Sequence, residues 1–229
     1  MLKKLSNIGD CGIVCDFGNE VNQEINAGVI KLFYYIRKEV LKGNLKGILN
    51  YTPSYNKLII NFDLEEINSS KVINFLKSID FSKIDFSQNK KQWTIPICYE
   101  FGMDLENMSK TLKIDENEII NIHLNTTFFV YMVGFVPGHP FMGDLDSKLF
   151  LDRLKTPRVK VPPGSVGIVE KFCNIYPYES PGGWNIVGRT PTKLFNTKND
   201  SNPCLLSPGD SIKFKSISKK EFENFNNEK

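Results

Sequence analysis

The side chains best suited to bind or transform a small molecule are concentrated in one stretch of the chain, Gly134 to Phe195. Eight of the chain's 12 prolines and eight of its 16 glycines also lie there, which excludes a long helix or an uninterrupted central strand. The stretch is therefore predicted to form short strands joined by tight turns. Between the turns it presents a set of cations, hydroxyls and an indole: Arg153, Arg158, Lys160, Ser165, Tyr176, Ser180, Trp184 and Arg189.

Arginine is rare in this sequence, and three of its four copies, Arg153, Arg158 and Arg189, fall in this stretch. A guanidinium group binds a carboxylate or phosphate through two parallel hydrogen bonds, which the ammonium group of lysine does not reproduce. These arginines are candidate anion-binding residues. The alternative, that they brace loops by donating to backbone carbonyls, stays open.

His139 lies in the segment GFVPGHPFMG, where two prolines and three glycines fix a tight backbone path. Such a loop either lines a ligand or forms a structural turn between strands. A histidine there is a candidate proton carrier, because its pKa lies near neutrality, and the alternative is a solvated turn residue. His123, in a short predicted helix, is interpreted as a core or interface residue.

Ser165 lies in PPGSVGI, which is G-S-x-G and differs from the G-x-S-x-G turn of serine hydrolases. No carboxylate and histidine accompany it at a recognisable spacing, so a hydroxyl that contacts substrate or caps a turn is the better interpretation. Tyr176 and Ser180 are further candidate polar contacts. Trp184 either covers an apolar groove or closes the core. The chain has neither a G-x-x-x-x-G-K-[ST] phosphate loop nor a G-x-G-x-x-G motif.

Composition points to a soluble globular protein, with 41% hydrophobic and 24% charged residues among 229. The formal net charge of +3 gives no basic field for nucleic acid, and no apolar run approaches the roughly 20 residues of a membrane helix. The cytoplasm is the predicted location. Five scattered cysteines and two histidines provide few metal donors, so reduced, mostly buried thiols and no metal site are predicted.

Two domains are predicted, residues 1–88 and 89–229. In the first, the apolar pattern predicts the order β-α-β-β-α, which is compatible with a ferredoxin-like α/β sandwich. The polar segment Ser78–Gln92 is a candidate linker. The second domain is predicted to begin with a strand at Trp93–Glu100, continue through two short helices at Asp104–Leu112 and Asp115–Leu124, and then be β structure to Phe214. The charged residues after it are expected to fray.

Three long motifs in the second domain resemble those of a known family. They are GFVPGHPFMG, TPRVKVPPGSVGI and IYPYESPGGWNIVGRTPTKLF, and the likeness extends to GDCGIVCDFG, YTPSYNKLIINFD and IPICYE with DLENMSK. Together they resemble the family of 5-oxoprolinase B subunits. This family also includes the PxpB or KipI-like proteins, allophanate hydrolase subunit 1 and carboxyltransferase-domain subunits.

The resemblance implies an N-terminal α/β domain followed by a C-terminal cyclophilin-like β-barrel, so the predicted fold class is α+β. It also implies an enzyme subunit, inactive alone, that joins the 5-oxoprolinase subunits A and C in the ATP-dependent conversion of 5-oxo-L-proline to L-glutamate. ATP is expected at the level of the complex. The alternatives are a regulator that inhibits a sensor histidine kinase and a carboxyltransferase-type subunit acting on another small amide.

In the enzyme interpretation His139 is the candidate catalytic residue, and the candidate substrate-binding residues are Arg153, Arg158, Ser165, Tyr176, Ser180 and Arg189. The sequence departs from the family's pattern at three places. His139 stands where an aromatic residue is usual, Leu151-Asp152 replaces the first residues of a T-P-R motif, and the segment from Glu170 to Asn174 replaces G-G-x-Q-T-G.

Overall fold

Two separate hydrophobic cores divide the chain into units Met1–Asn89 and Lys90–Lys229. The computed structural model describes residues 2–84, 90–199 and 202–227. The predicted domain boundary between residues 88 and 89 lies outside the described residues. None of the described helices combines the length and apolar character needed to cross a membrane.

The first unit is a four-stranded antiparallel sheet with two helices. Its elements are β1 (Lys4–Asn7), β2 (Gly12–Asp16), α1 (Gln23–Leu41), β3 (Ile48–Pro53), β4 (Lys57–Phe62) and α2 (Ser69–Ser78). The sheet order is β1-β2-β4-β3. The predicted order β-α-β-β-α is confirmed from β2 to α2, whereas β1 was missed because its four residues bear no strong apolar pattern. The ferredoxin-like topology stays a prediction.

Local sequence signals explain the first unit's elements. Asn22 caps α1 by accepting a hydrogen bond from the backbone N–H of Ile25 at 2.9 Å. Val29, Leu32 and Ile36 recur at helical spacing and form the buried face of α1. The strand β4 alternates between buried and half-buried positions, so one of its faces packs into the same core.

The second unit contains most of the β structure and three helices. Its elements are β5 (Gln92–Ile97), α3 (Leu105–Leu112), α4 (Glu116–Asn125), β6 (Phe128–Val133), β7 (Pro140–Gly143), β8 (Arg158–Val161), β9 (Ser165–Val169), β10 (Phe172–Ile175), β11 (Ser180–Gly182), β12 (Asn185–Arg189), β13 (Ser211–Ser216) and α5 (Lys219–Asn227). The two predicted helices are confirmed, and so are the short strands of the Pro- and Gly-rich stretch. The C-terminal segment was predicted wrongly, since it forms α5.

Seven of these strands form a nearly closed barrel in the order β12-β9-β10-β7-β6-β13-β5. Neighbouring strands are antiparallel except β13 and β5, which are parallel. The two end strands approach each other where Cys98 N donates to Arg189 O at 2.8 Å and Arg189 N donates to Cys98 O at 3.0 Å. This arrangement is consistent with the predicted cyclophilin-like barrel. We call the closure at Cys98 and Arg189 the seam.

A separate two-stranded ribbon, β8 with β11, completes the second unit. Ser180 pairs with Val161 and Gly182 pairs with Arg158, with a shift of register between the two pairs. Such irregular pairing bends a strand and re-aims its side chains. The ribbon therefore gives Arg158 a direction that regular pairing would not.

Candidate functional site

The strand β10 separates the barrel core from a polar cluster. Cys173 and Ile175 belong to the main core, whereas Asn174 and, directly after the strand, Tyr176 project to the opposite side. This follows from the two-residue period of an extended chain. Asn174 is 1% exposed and Tyr176 3% exposed, so the second side is also covered.

His139 joins this second side through strand pairing. Asn174 pairs with Phe141 on β7, and the His139 ring stacks on Phe141 with centroids 4.6 Å apart and planes inclined by 7°. Asn174 Nδ2 donates to His139 Nε2 at 3.1 Å, and the rings of His139 and Tyr176 lie 5.4 Å apart. We call the group of His139, Phe141, Arg158, Asn174 and Tyr176 the tyrosine cluster.

His139 is a buried, neutral imidazole. It is 3% exposed, and burial lowers its pKa from 6.5 to about 4. When the Asn174 amide nitrogen donates to Nε2, the proton of the neutral ring lies on Nδ1. The alternative of a solvated turn histidine was therefore wrong. At neutral pH the imidazole is uncharged, with one nitrogen that donates and one that accepts a hydrogen bond. Its role as a proton carrier stays a prediction.

The Tyr176 hydroxyl is surrounded by donors and positive charge. Burial raises the pKa of Tyr176, opposed by the Asn174 side chain, the Trp184 backbone N–H and the charges of Arg153 and Arg158. Gly182 passes so close that a Cβ there would lie 2.5 Å from Tyr176 Oη, and any larger residue would displace the phenol. The close approach of β11 thus requires glycine at this position.

Arg158 connects the cluster to a buried carboxylate. Its Nη2 donates to Asp104 Oδ1, and Asp104 is only 1% exposed. The second carboxylate oxygen, Asp104 Oδ2, accepts from Ile186 N at 2.6 Å. Two buried polar atoms of the cluster, Arg158 Nη1 and Asn174 Oδ1, have no hydrogen-bond partner within the described ranges. Arg158 Nη1 is a hydrogen-bond donor, and Asn174 Oδ1 is an acceptor.

The remaining predicted residues lie around the cluster or away from it. Arg153 is exposed, and its charge acts on Tyr176. Ser180 is half-buried on the ribbon that carries Arg158. Ser165 is buried at the start of β9, where it pairs with Arg189 on β12. Ser165 and Arg189 therefore belong to the seam, and their substrate-binding roles stay predictions.

At the seam, Arg189 braces a loop by donating to a backbone carbonyl, which was the alternative to anion binding for the arginines. Its Nε donates to Pro163 O at 2.7 Å. Its guanidinium carbon lies 5.5 Å from the centre of the Phe222 ring on α5 and 6.0 Å from that of Phe101. Burial lowers its pKa. Arg189 thus fastens the C-terminal helix over the closure of the barrel.

His123 is a core residue, as predicted. Its ring lies among Phe128, Phe214 and Tyr99, and Tyr99 Oη is 2.7 Å from His123 Nδ1. Cys173 Sγ lies 4.0 Å from Nε2. Complete burial lowers the pKa of His123 to about 3. Each ring nitrogen therefore has a polar neighbour inside the core.

Two of the segments that depart from the family's pattern contact each other. The backbone N–H of Glu170 donates to Leu151 O at 2.7 Å, and Asn185 Nδ2 donates to Asp152 O at 3.0 Å. These residues line a surface cavity of about 680 Å³ together with Thr111 and Phe150. The third departure, His139, lies instead in the tyrosine cluster.

Metal chemistry has no donor set in the described ranges, where no group of three His, Cys, Asp or Glu side chains could hold an ion. All five cysteines are free thiols, and Cys15, Cys98 and Cys173 are buried. Their state agrees with the prediction of reduced, mostly buried thiols.

Sequence reasoning missed Asp104 and the role of Asn174. Asp104 looked like an ordinary start of a helix, and its tertiary contacts are made by residues 54 and 82 positions away. Asn174 was visible only as part of a departing segment. Its spacing of two from Tyr176 was the one local signal that both side chains share a face.

Comparison with known proteins identifies the family. Residues 3–206 match the model of the carboxyltransferase domain, subdomain C and D. The 5-oxoprolinase B subunit of Bacillus subtilis is 33% identical over 98% of this chain and 97% of its own length. The 5-oxoprolinase B subunit of Haemophilus influenzae is 43% identical, over 52% of this chain and 57% of that protein.

A solved structure shares the fold. The crystal structure of TTHA0988 superposes with a TM-score of 0.79 at 27% identity, covering 91% of this chain. This chain spans about 40% of the TTHA0988 chain. The match of the family model over residues 3–206 shows that the chain belongs to the family of carboxyltransferase domains, subdomains C and D.

Proposed function

We propose that this chain is the B subunit of a 5-oxoprolinase, which opens 5-oxo-L-proline to L-glutamate together with subunits A and C. The observation that carries the proposal is the end-to-end similarity to the Bacillus subtilis protein of that name, at 33% identity over 98% of this chain. Similarity over both lengths makes the two proteins equivalent in their domain content. A partial match would support only one shared domain.

The tyrosine cluster supplies groups that suit a small amide with a carboxylate. Arg158 offers a buried guanidinium nitrogen without a partner within the described ranges, and Arg153 adds a second positive charge near Tyr176. Asn174 Oδ1 is a buried acceptor that suits an amide N–H. In this proposal Arg153, Arg158, Tyr176 and Ser180 contact the substrate, and neutral His139 orients Asn174 or exchanges a proton with the substrate.

ATP is assigned to the complex. The sequence has neither of the glycine-rich phosphate motifs. The part of this chain is therefore to bind and orient the organic substrate.

The test is reconstitution. The three subunits are purified, combined, and supplied with ATP and 5-oxo-L-proline, and the release of ADP and glutamate is measured. Glutamate release that requires this chain is expected. A properly assembled complex that hydrolyses no 5-oxoproline, or one that is equally active without this chain, would contradict the proposal.

Two further arms of the same experiment address the alternatives. Replacing 5-oxoproline by urea tests a carboxyltransferase-type subunit for another small amide. Adding excess chain to an autophosphorylating sensor histidine kinase tests the regulatory alternative, which stays a prediction. Inhibition of the kinase by a chain that fails to support glutamate release would favour that alternative.

A further inference from the structure

We propose that Asp104 is a positioning residue, which holds Arg158 by one terminal nitrogen and leaves the other, Nη1, to bind a carboxylate oxygen of a small organic anion. The inference deepens the proposed function, and rests on it only for the identity of the anion. Its structural basis is the set of contacts that Asp104 makes to β8 and β12.

Asp104 makes these contacts with its carboxylate and does not cap its own helix. It occupies the N-cap position of α3, where an aspartate ordinarily accepts from the backbone of the first helical turn. Here its side chain makes no capping bond, and its backbone has ψ near 0. By contrast, Asp115 caps α4 in the ordinary way, accepting from Glu118 N at 2.9 Å. The carboxylate of Asp104 is thus directed away from its own helix.

The backbone of β12 fixes where that carboxylate lies. Asp104 N donates to Ile186 O at 3.1 Å, and Ile186 N donates to Asp104 Oδ2 at 2.6 Å. The pairing of β12 with β9 shifts register between Ile186 and Gly188, next to this contact. With one oxygen held by Ile186, the other is left to receive Arg158. Asp104 therefore orients the guanidinium through a backbone anchor on the barrel.

The orientation leaves one charged donor unsatisfied. Arg158 has two terminal nitrogens, of which Nη2 contacts Asp104 and Nη1 is buried without a partner in the described residues. A buried charged donor without an acceptor is costly, so an acceptor is expected to fill this position. In this arrangement one terminal nitrogen of the guanidinium donates to the protein carboxylate, and the other donates to the ligand carboxylate.

The surroundings favour an anion over a neutral ligand. Two positive charges, those of Arg158 and the exposed Arg153, act on Tyr176. Asp104 pairs with only one of them, Arg158. The β8–β11 ribbon lies against the cluster at Gly182, which closely approaches Tyr176, and Val159 on the same ribbon is 81% exposed. The irregular pairing between Ser180 and Gly182 lies opposite Arg158.

Arginine side-chain NMR tests the proposal directly, because the chain contains only four arginines. The full chain is labelled with [15N]arginine, and each Nε–H signal is assigned with an Arg→Lys variant. Acetate and 5-oxo-L-proline are titrated separately, with and without the unlabelled C subunit of the proposed complex. A saturable shift of the Arg158 signal is expected with a carboxylate, and chloride at equal ionic strength serves as the control.

Variants then separate positioning from mere stability. Asp104→Asn and Asp104→Glu are each expected to weaken carboxylate binding at Arg158 roughly tenfold or more. In an Arg158→Lys background, where the Arg158 signal is absent and carboxylate binding is followed by calorimetry, neither change at Asp104 is expected to have a further effect. The Arg189 signal at the seam reports folding, and Lys160→Met is the matched control on the same strand.

The outcomes distinguish the two proposals. If acetate binds at Arg158 and 5-oxoproline does not, the positioning role holds and the proposed substrate is wrong. If no carboxylate shifts Arg158 with or without the C subunit, the inference is overturned. It is equally overturned if folded Asp104→Asn protein binds carboxylate at Arg158 as tightly as the unaltered chain.

Discussion

Two arginines of the same unit, Arg158 in the tyrosine cluster and Arg189 at the seam, have contrasting surroundings. Both come from the Pro- and Gly-rich stretch, and both were predicted to bind anions. Arg189 donates to the carbonyl of Pro163 and packs against the rings of Phe222 and Phe101. Arg158 pairs with a buried carboxylate and keeps one nitrogen without a partner in the described residues.

The contrast shows that residue type and sequence neighbourhood do not distinguish a binding arginine from a bracing one. What distinguishes them is whether the folded chain itself supplies the acceptors. Arg189 takes its acceptor from a loop and its packing partners from Phe222 of α5 and Phe101, so its contacts within the unit brace the seam. Arg158 takes one acceptor from Asp104, and in the proposed site its other terminal nitrogen donates to a ligand.

Arg158→Met provides the strongest test of this contrast. It leaves the Asp104 carboxylate buried without its charged partner, so a loss of about 3–5 kcal/mol in the free energy of unfolding is expected. The matched control is Lys160→Met on the same strand, which breaks an ion pair with Glu179 whose side chains are 76% and 55% exposed. An exposed pair is worth at most about 1 kcal/mol.

Urea denaturation of the two variants measures the difference. Adding Asp104→Asn to Arg158→Met is expected to restore part of the lost stability, because the unpaired charge is then removed. Equal stability losses in Arg158→Met and Lys160→Met would show that the Asp104 pair is no more important to the fold than a surface pair.

The second prediction concerns the pH dependence that His139 gives to the cluster. Because its pKa in the folded chain is about 4 and the ordinary value is 6.5, the unfolded chain binds more protons between these pH values. The stabilising effect of keeping His139 neutral is therefore complete above pH 6.5 and is lost as pH falls toward 4. Acidification from pH 7 to 4 is expected to cost about 3 kcal/mol through this residue.

His139→Phe isolates this contribution, because the ring stack on Phe141 is retained while the titrating group is removed. Unfolding free energies of both proteins are measured by urea denaturation from pH 7 to pH 4. His123 is unchanged in both, so its own depressed pKa cancels in the difference. A variant that loses as much stability on acidification as the parent chain would show that His139 is not buried in solution.

Elements set by local sequence patterns were predicted correctly, whereas contacts between residues far apart in the chain were not predicted. The helices of the second unit and the short strands of the Pro- and Gly-rich stretch followed from spacing and turn residues. The partner of Arg158 did not, because Asp104 lies 54 positions earlier and resembles a common helix cap. The burial of His139 likewise depends on the pairing of β7 with β10, which no local pattern specifies.

The C-terminal helix shows that a tertiary contact can also order a segment that the local sequence predicts to fray. Lys219–Asn227 is strongly charged and was expected to fray, yet one apolar residue, Phe222, is 5% exposed. Its ring contacts Phe101, with centroids 4.9 Å apart, and lies under the Arg189 guanidinium. This aromatic contact, together with the hydrogen bond from Lys219 N to Glu100 and those from Ser218 to Glu221, therefore orders a segment whose composition favours solvent.

The last and smallest prediction tests the bracing side of the comparison. Phe222→Ala removes this anchor and is expected to lower the free energy of unfolding by about 2 kcal/mol. Arg189→Met is expected to cost about 1 kcal/mol, since it removes one hydrogen bond and the contacts of the guanidinium with the Phe222 and Phe101 rings. Phe225→Ala on the same helix is the control, because Phe225 is 45% exposed.

Hydrogen exchange of the α5 amides and urea denaturation measure these effects, and the Arg158 NMR signal is followed in the same samples. If the seam only braces the barrel, α5 loses protection while carboxylate binding at Arg158 is unchanged. Loss of carboxylate binding in folded Arg189→Met protein would mean that the seam and the tyrosine cluster form one site. The assignment of separate roles to the two arginines would then be wrong.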